Sequence, residues 1–234
     1  ITSAIQHLVS DGWIDNENNL FHPLIGQMII DRTKNKNQIN QNILNSNIEL
    51  SIQEKAIHIL QLKKLTENHK SGLLKYINEI EIEGLFYSAI KALEKIDPNK
   101  QDNQIQFKIA INLYKIGKNN ESKTIFQKLL KIKSYQTNHL VYYYLGNIYY
   151  YQKKLEKSIE IINQGIGLID ERLSIRKLQL LLTKVYAKCG TKEQIRDLLS
   201  HLEPRKSMAD NEKLDYYSLV SSIHYKTSLE IDLI

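Results

Sequence analysis

Three stretches of the chain superimpose when aligned on Gly117, Lys153 and Gly190, at successive offsets of 36 and 37 residues. The first reads "QFKIAINLYKIGKNNESKTIFQKLLKI", the second "YYYLGNIYYYQKKLEKSIEIINQGIGLI" and the third "QLLLTKVYAKCGTKEQIRDLLSHL". Each holds two segments of helical apolar periodicity around a short polar turn. A helix pair of that length cannot bury its apolar face alone, so neighbouring pairs must stack into a continuous core. The repeat therefore predicts an all-α stack of helix pairs. Three prolines and nine glycines in 234 residues agree with long, seldom interrupted helices. In the first and third stretches a glycine stands where a helix C-terminus calls for a left-handed residue.

The residues at fixed places in these units resemble the tetratricopeptide repeat (TPR), whose unit is a helix pair of about 34 residues. In the second stretch Tyr142, Leu145, Gly146 and Tyr149 fall on that family's aromatic, Leu, Gly and Tyr positions. Ser122 and Ser158 take the small-residue position of the second helix, and Phe126 takes a later aromatic position. The third stretch departs, with Ile195 at the small position. The resemblance implies an α-solenoid with repeats at about 103–138, 139–175, 176–209 and 210–234, the last cut short after a first helix that begins near Leu214. Upstream, residues 51–65 and 72–96 also read as helices, and "EGLFYSAIKALEKIDP" looks like the second helix of one more repeat. No first helix can be assigned to it from the sequence. Residues 34–100 are thus read as a helical linker with degenerate TPR-like helices. Within them the polar, Asn-rich run Asn35 to Asn47 reads as a linker or long loop.

"YYYLGNIYYY" packs six tyrosines into Tyr142 to Tyr151. At about 100° per residue, tyrosines seven apart lie nearly on one line. Tyr142 and Tyr149 share a face with Leu145 and are assigned to the core. Tyr143 and Tyr150, with Asn147 nearby, form a second stripe on the side that lines the concave groove in the TPR fold. Tyr144 and Tyr151 form a third, facing the next repeat or solvent. The equivalent groove positions are Phe107, Ile111 and Tyr114 in the first repeat, and Leu180, Lys184 and Ala187 in the third. Tyrosine suits partner binding because it brings apolar area and a hydroxyl at small entropic cost. Packing between repeats is the competing role for Tyr143 and Tyr150. The lysine/asparagine clamp by which some TPR co-chaperones hold a C-terminal carboxylate is not reproduced. Asn147 matches one member, but Lys108, Tyr144 and Leu181 do not complete it.

The first residues, "ITSAIQHLVSDGWIDNENNLFHPLIGQMIIDRT", read differently. A short amphipathic helix ends at Asp11-Gly12, and Trp13-Ile14 and Leu20-Phe21 make two short strands around "DNENN". His22-Pro23 then opens another helix. Residues 1–33 are read as the partial tail of a winged helix with a small β-hairpin. A DNA reader needs side chains for phosphates and base edges, yet Ile1 to Ser10 carries no lysine or arginine and the hairpin is acidic. A winged helix that does not bind DNA, followed by TPR-like repeats, resembles the STAND signalling ATPases. That resemblance implies a sensor region binding a protein or peptide, with ATP and magnesium held elsewhere in a longer parent. It also implies self-oligomerisation of that parent and a role in antiphage defence or regulation. His22 would be the junction histidine near the nucleotide phosphates, and a local backbone cap is its alternative role. The rival readings are a peptide-responsive helix-turn-helix/TPR regulator, in which Asn112 and Asn147 bond a peptide backbone, and a plain assembly scaffold.

Other chemistry finds little support in the sequence. No Gly-x-x-x-x-Gly-Lys-Ser/Thr loop is present, and the seven histidines show no metal-ligand spacing. The single cysteine, Cys189, reads as a small packing residue rather than a nucleophile. "GIGLID" has two glycines within a helix pattern, which close helix packing explains. The net charge of +6 is spread over lysines along the chain rather than gathered in an arginine-rich patch. No apolar run is long enough for a membrane helix, and one cysteine fits a reducing, cytoplasmic compartment. Ile1 in place of Met and an apolar end at Ile234 suggest an excerpt of a longer protein. The expectation is a non-enzymatic recognition region with no cofactor of its own.

Overall fold

The structure is a computed structural model that describes residues 36–46, 49–202 and 210–227. The winged-helix segment assigned to residues 1–33, with its hairpin and His22, lies outside the described residues. Those described are helical, with no strand among them. The chain divides into two compact units, Ile1–Pro98 and Asn99–Ile234.

The first unit holds α1 (Lys36–Leu44), α2 (Ile52–Gln61), α3 (Glu67–Ile82) and α4 (Phe86–Ile96). Helix α1 corrects the sequence reading of this Asn-rich run as a linker or long loop. Polar contacts hold it where apolar periodicity is weak. Asn40 is fully buried, donates from Nδ2 to Lys36 O and lies 2.7 Å through Oδ1 from His58 Nδ1 on α2. Asn37 Oδ1 accepts from the Lys63 amide at 2.8 Å. Helix α3 is the missing first helix of the upstream repeat: Leu73, Ile77 and Ile80 are buried at helical spacing, as are Ala89, Ile90, Ala92 and Leu93 on α4.

The second unit holds α5 (Asn103–Lys115), α6 (Asn119–Leu129), a single 3-10 turn (Lys133–Tyr135), α7 (His139–Tyr151), α8 (Leu155–Leu168), α9 (Arg172–Cys189), α10 (Lys192–Leu202) and α11 (Asp210–Thr227). The pairs α5/α6, α7/α8 and α9/α10 are the three aligned stretches, and α11 is the first helix of the next. The serines at the small-residue position do the same job twice. Ser122 Oγ donates to Ala110 O and Ser158 Oγ to Gly146 O, each at 2.8 Å and buried. A larger side chain at either place would hold the two helices of a pair apart. In the third pair the corresponding residues are Ile195 and Thr183, both buried.

One turn recurs between paired helices. After α3, α5 and α7 the chain passes through Gly84, Gly117 and Lys153 at φ of 80°, 79° and 59°. In each, the next amide reaches back five residues: Leu85 N to Ile80 O, Lys118 N to Leu113 O, and Lys154 N to Tyr149 O, at 2.8–2.9 Å. This satisfies the terminal carbonyls in the manner of a Schellman ending. The second helices α4, α6 and α8 then start with no side-chain cap. By contrast α5 and α7 begin on Asp102 and Asn138, whose side chains accept from the first-turn amides. The expected left-handed glycine at Gly190 is corrected: its φ is −90° and its ψ 172°. Extended backbone there lets Thr191 and Gln194 form a reciprocal cap on α10. Lysine at position 153 carries a left-handed penalty of about 1–2 kcal/mol, offset in part by the greater chain entropy of glycine. Lys153→Gly should therefore raise stability by about 0.5–1 kcal/mol, read as a higher denaturant midpoint at unchanged m-value.

Candidate functional site

The tyrosine-rich helix α7 has apolar or aromatic residues around most of its circumference, and the neighbours decide which face does what. Tyr142 is the core tyrosine, 1 % exposed, with its hydroxyl donating to Gln136 O at 2.8 Å. Tyr149, assigned with it to the core, is instead half-buried and turns to α6. Gln127 Nε2 donates to its hydroxyl at 3.0 Å and Lys123 lies over its ring. Tyr144 is mortar between repeats. It stacks on Phe126 at 5.4 Å and meets Tyr114 edge-on at 5.0 Å. Tyr151 is exposed.

Tyr143 and Tyr150 are half-buried and line a groove of about 540 Å³. From α7 come Leu140, Tyr143, Asn147 and Tyr150; from α9 come Lys177, Leu180, Lys184 and Ala187. These two sets are the same positions 37 residues apart. Ser218, Leu219 and Ile223 on α11 close the far wall. Three successive first helices therefore build the groove, two of them from one repeated face.

Of the seven residues proposed from sequence, the groove gathers Tyr143, Asn147, Tyr150 and Lys184. Phe107, Ile111 and Tyr114 are not in its lining. They are half-buried on α5 against the cluster formed by Ala110, Phe126, Leu129, Val141 and Leu145. Phe107 meets Phe126 at 6.0 Å and Tyr135 at 5.7 Å. Burial, reinforced by the tyrosines at 151, 143 and 144, pushes the Tyr114 hydroxyl well above its usual range. Asn112 is fully buried, with Nδ2 donating to Lys108 O, and is not in the lining, whereas Asn147, 4 % exposed, is. Asn147 donates to Tyr143 O at 3.0 Å and is held by its own helix. Sequence reasoning missed Leu140, Lys177, Lys188 and the α11 wall. The repeat register already contained the first two, one turn before the tyrosine stripe.

Lys184 extends over two rings, its Nζ 5.0 Å from the Tyr150 centroid and 5.4 Å from that of Tyr151, within cation–π reach. The groove's N-terminal end is pinned by a buried contact between α7 and α9. Ser174 Oγ donates to Glu171 Oε2 at 2.5 Å and lies 2.7 Å from His139 Nδ1. The hydroxyl has one proton, so Nδ1–H of His139 must donate to Oγ. The order Glu–Ser–His thus leaves this histidine unable to take the serine proton, unlike a nucleophile's base. Its Nε2 is buried with no hydrogen-bond partner among the described residues. Desolvation, then Lys177, holds the His139 pKa below its ordinary value, with Glu171 opposing. Because the folded pKa is depressed, the unfolded chain binds more protons in the window below the unfolded value of about 6.5. Stability is full above that pH and falls as pH drops toward the folded value. Thermal melts from pH 7.5 to 5.5 should show a falling Tm, with a shallower slope in His139→Asn. His58, in the other unit, is shifted the same way by burial and contributes a loss of its own.

Cys189 is exposed rather than packed, and partial desolvation, then the nearby Glu156, pushes the thiol up, which disfavours thiolate. The two glycines of "GIGLID" also differ. Gly165 is in close contact with Tyr142, whereas Gly167 has open space around it. Among the described residues no three His, Cys, Asp or Glu side chains are grouped to hold a metal ion. No helix among them is long and apolar enough to cross a membrane.

No protein-family model matches the sequence, and no curated protein does. Solved structures do. A variant of a putative kinesin light chain of Podosopora anserina, with nearly identical TPR-like repeats, aligns at 14% identity and TM-score 0.51, covering 85% of this chain and 97% of that one. The MamA RS-1 ArsTM double mutant aligns at 16% identity and TM-score 0.50, covering 79% and 92%. The fold is TPR-like. At these identities the likeness concerns the backbone arrangement alone, in which the groove residues above occupy the first helices of successive TPR-like pairs.

Proposed function

We propose that this chain is a protein-recognition array whose ligand seats in the groove across α7, α9 and α11. The supporting observation is the repeated face itself. Positions 140, 143, 147 and 150, and their counterparts 37 residues later, converge on one concavity, which Tyr143 and Tyr150 line while also packing on the cluster around Tyr142 and Leu178. The groove's size lies in the range of about 300–1,000 Å³ typical of ligand sites, and its mix of aromatic, aliphatic and cationic groups suits a peptide.

Selection of displayed random peptides on the protein tests this reading. Peptides that bind the natural chain should lose binding to Ser218→Trp, which fills the groove from its exposed wall. They should also fail to bind Tyr143→Ala/Tyr150→Ala, checked by circular dichroism for retained helicity. Binders indifferent to both changes, or no binders at all, would overturn it.

The finer reading is that the array is the sensor region of a STAND-type signalling ATPase of the cytoplasm. It is supported by the resemblance of residues 1–33 to that family's winged-helix junction. The parent would hold ATP and magnesium upstream, with His22 toward the phosphates, and groove occupancy would release self-oligomerisation in antiphage defence or regulation. A phosphate-binding loop encoded upstream of Ile1 in the same reading frame is the expected result. An upstream frame without one returns the array to a plain interaction scaffold.

A further inference from the structure

Among the described residues the groove's lining carries one sign of charge: Lys177, Lys184 and Lys188 line it, and no aspartate or glutamate does. Among the described residues none of the three lysines is in an ion pair. All three stand on α9 at intervals of seven and four residues, so they fall within about 20° of one line along the helix. The rise per residue separates them by about 10 Å and then about 6 Å. Between and beside them lie Leu180 and the rings of Tyr143 and Tyr150. A row of unpaired cations over an apolar floor with low-dielectric walls focuses potential on whatever enters.

We propose that the occupant is an acidic protein segment, with carboxylates spaced to meet Lys177, Lys184 and Lys188 and apolar side chains between them. This rests on the groove being a recognition site, and adds the chemical class of its ligand. An extended chain advances about 3.3 Å per residue, so the carboxylates belong roughly three and then two residues apart. Nucleic acid fits less well. Among the described residues the lining has no arginine to fork a phosphate, and a sugar-phosphate backbone has no use for the wall of Leu140, Leu180, Leu219 and Ile223.

The test is fluorescence anisotropy on the whole chain with a labelled peptide containing Glu-Leu-Ala-Glu-Phe-Glu. Its Gln-Leu-Ala-Gln-Phe-Gln counterpart and a labelled oligothymidylate serve as comparisons. The glutamate peptide should bind, weaken with added salt, and exceed the glutamine peptide by on the order of tenfold or more. Charge reversal by Lys177→Glu/Lys184→Glu/Lys188→Glu should abolish that preference and transfer it to the Lys-Leu-Ala-Lys-Phe-Lys peptide. The swap distinguishes lost recognition from lost folding. Equal binding of the glutamine peptide, blocked by Ser218→Trp, would overturn the acidic class while leaving the recognition groove standing. Tighter binding of the oligothymidylate would overturn it in favour of nucleic acid. No binding of any peptide would overturn it as well.

Discussion

Phe126→Ala is expected to destabilise the Asn99–Ile234 unit by about 3–5 kcal/mol, the largest single-residue effect in the groove's support. Phe126 has no exposed surface. Its ring stacks on Tyr144 from α7 at an interplanar angle of 5° and meets Phe107 from α5 edge-on at 74°. One side chain on α6 therefore joins the first helix of its own pair to that of the next. Truncation removes the ring's burial and leaves a cavity. Collapse into that cavity is opposed because Tyr144 is also held by Tyr114 and Phe107 by Tyr135. The lost aromatic geometry, about 0.5–1.5 kcal/mol per pair, places the effect in the upper part of the range. In a helical array such a loss acts through the interface between neighbours, so α7 and the groove it lines should loosen with it. Equilibrium urea denaturation measures the change. Phe126→Leu should recover more than half of it. A loss below about 1 kcal/mol would mean that the stack does not join the pairs.

Gly165→Ala is expected to lower stability by about 1–3 kcal/mol, although alanine is the better helix former by about 1 kcal/mol. A methyl group there would lie 2.7 Å from Tyr142 Cγ, 2.8 Å from Tyr142 Cβ and 3.0 Å from Leu178 Cδ1. Tyr142 cannot retreat, because its ring is buried and its hydroxyl is tied to Gln136 O. Two residues on, Gly167 has nothing within 4 Å of its would-be Cβ. Gly167→Ala should raise stability by up to about 1 kcal/mol, less if the last turn of α8 frays. Opposite signs for two glycines in one helix, measured as paired shifts of the denaturation midpoint, separate packing from propensity. A stabilising Gly165→Ala would show that α7 and α8 can part without cost.

The groove is assembled by residues that a linear reading could order only in part. The 37-residue register carries Tyr143 to Leu180 and Asn147 to Lys184, and those pairs lie together in the structure. The preceding offset of 36 carries Tyr143 back to Phe107 and Tyr150 back to Tyr114. On α5, however, those rings pack against Phe126, Tyr135 and Tyr144. A period states which residues share a face. It does not state whether the neighbouring helix covers that face.

Periodicity was enough for the helix pairs and for Tyr142 and Leu145 in the core, and the repeat resemblance placed the close-packing serines at 122 and 158. These follow from the spacing of apolar and small residues, and the spacing survives in any neighbourhood. Tertiary structure alone decided the helix at Lys36–Leu44, held by Asn40 and His58 rather than by an apolar stripe. It also assigned α3 as the first helix of the upstream pair and gave Gly190 an extended backbone. Above all, it sorted six adjacent tyrosines into core, mortar, groove and surface. Tyrosine is apolar along its ring and polar at its tip, so each could satisfy any of those places, and only the helices packed around α7 determine which one it takes.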